Sequence, residues 1–300
     1  MDFLREAGLQ LMVAATAFIL GLLLNRAVRT SVYFRARKFW RPLASKDLAI
    51  VLGDGFSDLS AYEASGLMGQ GDLLASAELI SHLSAMGLPQ LQPEFADKAV
   101  GVDPNGRALR RNLVVLGGPD ANTLTKACLD RLKCSYRLEE EVLPTAEPSG
   151  AANPSMWRPF QLRPTVWARD KVTVYEPVAA QDGQIVRDYG VIIRTRNPFL
   201  FERHRNRRNL LRLRRQREKR VVLMFGCYGL GTYAAVLFSK EKAFLELVKN
   251  TEEDIECVVS CDVFRKTPQS VRHVDIIHHP SGALCKLDFL KDEPQTSTGS

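Results

Sequence analysis

Three apolar runs in this chain each end in glycine, and that repeated junction limits the fold more than any other feature. Residues 221–225 run into Gly226-Cys227-Tyr228-Gly229-Leu230-Gly231-Thr232 and then into Tyr233-Ala234-Ala235-Val236-Leu237-Phe238. Residues 47–52 run into Gly53-Asp54-Gly55, and residues 112–116 into Gly117-Gly118-Pro119. A buried strand that turns through glycine into a helix start lets backbone N–H groups approach a ligand closely, and the helix N-terminus favours an anion there. Apolar runs separated by helices predict an α/β fold with a Rossmann-like, mostly parallel sheet and helices on both faces. Ligands of such sheets sit outside the carboxyl ends of the strands, so all three turns are expected along one edge. Each turn taken alone also has a plainer use, as a tight strand-to-helix connection.

The N-terminus carries a second pattern. Residues 7–24 hold no charge and are interrupted by Gln10, Thr16 and two glycines. A bilayer core of ~30 Å needs about 20 apolar residues, so the run predicts a transmembrane helix over 7–25. Arg26, Arg29, Arg35, Arg37, Lys38 and Arg41 follow it with no acid before Asp47. The positive-inside rule then predicts a single-pass plasma-membrane protein with residues 1–6 outside and the rest cytoplasmic. The domain plan that follows is a basic juxtamembrane linker at 26–45, an α/β domain at 46–290 and a disordered tail at 291–300. Tyr33, Phe39 and Trp40 are expected as aromatic rings at headgroup depth. A cleaved signal peptide fits less well, because Asn25-Arg26-Ala27-Val28-Arg29 is basic where a small-residue cleavage site is needed.

The net charge of +7 owes much to this segment and to a second basic run from Arg203 to Arg220. That run reads as an insertion at 200–220. Its candidate partners are anionic lipid, where each cation near the surface contributes ~1 kcal/mol, and nucleic acid, for which no base-reading module is recognisable. A solvated insertion without partner is the third reading. The six cysteines, 128, 134, 227, 257, 261 and 285, contain no C-x-x-C pair and read as reduced, mostly buried thiols. His273, His278 and His279 are set aside as metal ligands, since adjacent strand residues point to opposite faces.

Between the glycine turns the periodicity predicts helices at 72–86, 123–132 and 232–249, with strands at 172–178, 185–195, 255–260 and 271–278. Proline-rich 144–165 is expected to be irregular. Asn122 is a candidate ligand contact and equally a helix cap. Along 185–195, period two places Asp188, Gly190, Ile192, Arg194 and Arg196 on one face, which makes Arg194 a candidate anion clamp and Asn197 its neighbour. Asp54 is the candidate acid or base. Cys227 is a candidate nucleophile or a buried structural thiol. The spacing G-x-x-G-x-G-T is not the dinucleotide fingerprint, and Asp262 falls 31 residues past Gly231, where about 20 are expected. Neither a P-loop nor a G-x-S-x-G elbow is present, and no cofactor is indicated.

Taken together, Gly117-Gly118-Pro119-x-x-Asn122, Asp188-Tyr189-Gly190 leading to Asn197-Pro198-Phe199, and Gly226-x-x-Gly229-x-Gly231-Thr232 resemble a pattern in uncharacterised bacterial Rossmann-like proteins, over about residues 47–240. The resemblance implies the fold and carries no activity. The expected site comprises Gly53, Asp54, Gly117, Gly118, Asn122, Arg194, Asn197, Gly226, Gly229, Gly231 and Thr232. The function expected is a membrane-anchored sensor or binding protein for a nucleotide-like or other anionic small molecule. The alternative is a hydrolase or transferase acting on a nucleotide or phosphorylated sugar at the same edge. A pure interaction protein is a third class, and a homo-oligomer is compatible with all of them.

Overall fold

The computed structural model describes residues 16–21, 24, 36, 39–40, 43, 48–53, 69–88, 93–96, 108–142, 162–167, 173–180, 184–203, 219–248 and 253–286. Asp54, the basic stretch 204–218 and the tail 291–300 lie outside them. The first sheet strands are β1 (Ala49–Leu52) and β2 (Pro93–Phe95), with helix α1 (Gln70–Ala85) between them. There follow β3 (Leu113–Leu116), α2 (Thr123–Asp130), β4 (Arg137–Val142), β5 (Leu162–Trp167), β6 (Val174–Tyr175), β7 (Val178–Ala179) and β8 (Ile185–Arg196). The chain continues through β9 (Arg220–Gly226), α3 (Gly229–Phe238), α4 (Lys242–Leu247), β10 (Asp254–Phe264) and β11 (Thr267–His279).

The eight-stranded sheet is mixed. In the order β2-β1-β3-β9 the strands are parallel, as apolar runs separated by helices require. Beyond β9 the order continues β8-β10-β11 with antiparallel pairing, and β7 adds to β8. Alternate residues of the strands feed two cores. Ile50, Leu52, Val114, Leu116 and Met224 pack under α1, α3 and α4, against Leu79, Leu83, Ala234 and Phe244. Val51, Leu113, Val115, Leu223 and Phe225 face the other way, against Leu124 and Cys128 of α2 and Tyr136 beside β4. Strands β4, β5 and β6 form a separate antiparallel sheet on that side. The single helix expected at 232–249 is two, broken at Ser239–Glu241, where the α3 C-cap geometry ends the first.

The expected membrane anchor is overturned. Among the described residues no helix is long and apolar enough to cross a membrane. Within the apolar stretch the described residues 16–21 and 24 are helical, and residues 7–15 lie outside the described set. The single-pass plasma-membrane assignment falls with it. The aromatic collar is also corrected. Phe39 and Trp40 are each 1% exposed and belong to the first core together with Ala36 and Leu43. Phe39 meets Trp40 and Phe244 edge-on, at 4.9 and 5.1 Å between ring centroids. Aromatics amid arginines satisfy an interfacial pattern and a core pattern equally well in sequence; here α4 supplies the apolar partner.

Candidate functional site

Because β1, β3 and β9 are adjacent and parallel, their three glycine exits stand side by side at one end of the sheet. Gly117 adopts φ +102°, a conformation that excludes most side chains. Asn122 then caps α2: its Oδ1 accepts from the N–H groups of Leu124 (3.0 Å) and Thr125 (3.2 Å), and its Nδ2 donates to the Leu116 carbonyl (2.8 Å). Its amide is thus engaged at both ends in building the turn, the cap that was expected beside a ligand contact. The Thr125 hydroxyl fixes the same turn by donating to the Gly117 carbonyl at 2.8 Å.

The remaining glycines are consumed by backbone packing. A Cβ on Gly231 would stand 2.1 Å from the Tyr189 carbonyl oxygen, and one on Gly226 2.4 Å from the Thr232 nitrogen. A Cβ on Gly71 would stand 2.1 Å from the carbonyl carbon of Gly229, and one on Gly53 2.3 Å from the Ala121 carbonyl oxygen. The glycines therefore bring α3 onto β8 and β9, α1 onto α3, and the first exit onto the 118–122 turn. The close approach they permit is between parts of the chain, and it shapes the space left over.

That space is a cavity of about 130 Å³ lined by backbone at Gly53, Gly118, Gly226 and Gly229 and by the side chains of Asp72, Asp120 and Thr232. Asp72 lies in the first turn of α1. Its Oδ1 is buried and has no hydrogen-bond partner among the described residues. Burial pushes the carboxyl up to about 6, with a contribution from the charge of Asp120 and against a hydrogen bond from Thr232. Behind it, Asp188 is fully buried; its Oδ2 accepts from the Gly231 N–H at 2.5 Å and its Oδ1 from the Tyr189 N–H at 2.8 Å. Burial raises Asp188 to about 7, against the backbone bonds of Tyr189, Gly231 and Tyr228, while the charge of Asp72 adds to the rise. The first turns of α1 and α3 both border the cavity, and neither N-cap residue, Gly69 nor Tyr228, contributes a capping side chain. Cys227 is buried, and burial followed by the charge of Asp188 lifts its thiol well above the ordinary value. A thiol held protonated in this way is not the nucleophile that the glycine turn suggested.

Two expected site residues are elsewhere. Arg194 pairs in register with Val222 and Ile255, and Asp188 lies six residues away on β8, about 20 Å along a strand. Arg194 donates to the Glu253 carbonyl (3.1 Å) and stacks 4.8 Å above the Phe39 ring. Asn197 donates to the carbonyls of Leu109 and Arg111 (2.7 Å each) and accepts from the Phe199 N–H (2.9 Å). Beside them Asp254 accepts from the Thr195 hydroxyl (2.7 Å), the Gly282 N–H (2.8 Å) and Arg220 (3.4 Å). Arg220 is therefore a buried ion-pair partner and no part of a solvated basic run. His278 and His279 contact Glu253 and Glu256 separately, at 2.9 and 2.8 Å. Gly53, Gly117, Gly118, Gly226, Gly229, Gly231 and Thr232 come together at the edge; Arg194 and Asn197 do not.

Asp72 and Asp120 were not among the expected site residues. The available signal was Gly69-Gln70-Gly71-Asp72, an acid behind two glycines at a helix start, which is the same junction read from the helix side. No family model, curated protein or solved structure matches the chain.

Proposed function

We propose that the chain is a binding or sensing domain for a small nucleotide-like molecule, held at the glycine edge through a sugar hydroxyl or amino group that donates to Asp72. The observation that supports this is Asp72, which lines the cavity where three strand exits meet and whose buried Oδ1 has no hydrogen-bond partner among the described residues. A buried acceptor without a partner costs about 1–3 kcal/mol, which a donating ligand recovers. The cavity of about 130 Å³ takes one ring or one phosphate, by comparison with a ~150 Å³ cavity that holds benzene. The lining supplies carboxylates where an anion clamp was expected, so the hydroxyl-bearing part of the ligand suits it better than the phosphate.

The test is thermal unfolding of the full chain with nucleosides, nucleotides and sugar phosphates. A ligand present at 100 times its Kd stabilises the folded state by ~2.7 kcal/mol. The expected result is a rise in Tm that Asp72→Asn removes. No rise across the panel, or an equal rise in the variant, overturns the reading. A hydrolase or transferase at the same edge is the second reading, favoured by the Asp72 carboxyl near 6, a value suited to general acid–base work at neutral pH. Chromatography of the stabilising compound after incubation separates the two: new products sustain the enzyme, an unchanged compound the sensor.

A further inference from the structure

A second, larger cavity begins where the glycine edge ends. It has a volume of about 610 Å³ and lies between α2, the start of β4 and the chain at Lys286. The Pro119-Asp120 turn borders it, and Asp120 also lines the smaller cavity, so the two spaces meet at that side chain. Their chemistry differs. The described side chains of the smaller cavity include two carboxylates and no cation. The larger one has apolar walls at Leu129, Leu132 and Leu138, cations at Lys126, Arg137 and Lys286, and carboxylates at Asp120 and Asp130. Lys286 is committed to the chain, donating to the Asp130 carbonyl at 2.6 Å. Lys126 and Arg137 are exposed on two different elements, α2 and β4, that face one another across the space.

We propose that this second cavity is the phosphate subsite of the ligand bound at the glycine edge, with Lys126 and Arg137 holding a phosphoryl group. The assignment rests on the proposed nucleotide-like ligand and deepens it. A nucleotide carries a neutral, hydroxyl-rich half and an anionic half, and cations line the larger cavity alone. Asp72, whose carboxyl is largely desolvated, favours donors and disfavours phosphate, because a like charge in a low-dielectric pocket is repelled. Arg137 offers a planar fork for phosphate oxygens, and Lys126 a compact point charge. The three leucines supply the apolar surface that most ligand sites carry beside a few polar groups. The phosphate that sequence reasoning assigned to Arg194 thus finds its cations on the other side of the sheet, next to the same glycine turn.

The experiment measures Kd by calorimetry for adenosine, guanosine, cytidine and uridine and for their 5′-monophosphates, at low and high salt, on the full chain. Three proteins are compared: the unmodified chain, the double variant Lys126→Ala with Arg137→Ala, and a charge-matched control, Lys242→Ala with Arg272→Ala, whose side chains are exposed away from both cavities. The expected result is a monophosphate bound more tightly than its nucleoside by about tenfold or more in the unmodified chain and the control. That preference weakens at high salt. In the Lys126/Arg137 variant it falls to about one, while nucleoside affinity stays the same. A preference that survives in that variant overturns the subsite and leaves the glycine-edge reading intact. Loss of nucleoside and nucleotide binding together, in a variant that still melts cooperatively, also overturns it. Binding of neither class by the unmodified chain removes the ligand reading itself and the subsite with it.

Discussion

The two ends of the sheet hold similar chemical groups and use them in opposite ways. At the end where β8 meets β10, Asp254 is surrounded by Thr195, Arg220, Gly282 and Leu284, and Asn197 is bonded to the backbone on both its amide nitrogen and its oxygen. At the glycine end, Asp72 keeps one buried oxygen without a partner among the described residues, although Thr232 reaches the carboxylate. Buried polar groups in proteins are normally paired, and the Asp72 oxygen is the one that the proposed ligand would satisfy. Polar residue type says little about function here, since carboxylates stand at both ends with different partners.

The comparison breaks most visibly at Gly231. Gly231→Val puts a branched side chain against the Tyr189 carbonyl, where even a Cβ would stand at 2.1 Å. Such overpacking against backbone is expected to cost at least about 3 kcal/mol, read as loss of the cooperative melt or a large drop in Tm. A Tm within a degree or two of the unmodified chain contradicts the packing account of the motif. Next in size is Asp254→Ala. It removes the carboxylate paired with buried Arg220, at a cost of about 3–5 kcal/mol, and leaves ligand affinity at the other end unchanged. If chemical denaturation finds a loss below about 1 kcal/mol, the satisfied end is not the structural one.

The smallest effect is the most telling. Asp72→Asn removes a carboxyl that burial raises to about 6, so it is expected to change stability little below about pH 4 and to stabilise increasingly up to pH 6 and above. The sign follows from linkage: between the ordinary value near 4 and the raised value, the folded state binds more protons than the unfolded one. Stability contributed in this way is present below pH 4 and is lost as pH rises through 6. Asp188, raised to about 7, extends the same loss upward. Melting the chain and the Asp72→Asn variant from pH 5 to pH 8 therefore shows a falling Tm in the first and a shallower fall in the second. Identical slopes remove Asp72 as a buried titrating group.

The pattern of apolar runs and glycine turns in the sequence was enough to read β1, β3 and β9 of the parallel half and the common edge of their exits, while the short edge strand β2 went unread. The antiparallel half was harder to read, because strand direction leaves no mark in composition: β8 and β10 mix charged residues into apolar runs, and both were legible as strands without their pairing. The failure at Arg194 was one of scale. Period two implied a shared face with Asp188, yet a face says nothing about length, and β8 carries Asp188 and Arg194 toward opposite ends. Phe39 and Trp40 misled for a different reason: an aromatic among arginines is amphipathic by count, and only the position of Phe244 decides which surface it covers. Asn122 was legible in both of its readings, and hydrogen bonds selected the cap.

The contacts of Gly71 with Gly229 and of Gly53 with Ala121 have a consequence for how this pocket would change over generations. Its outline is cast by main chain resting on main chain, with almost no rotamers to adjust. Substitutions in the surrounding core cannot widen or narrow it by degrees; they either leave the mould as it is or break it. Drift toward a new ligand would have to proceed through the lining residues that carry side chains, among them Asp72, Asp120, Tyr228 and Thr232. A pocket built this way is conservative in shape and free only in its chemistry.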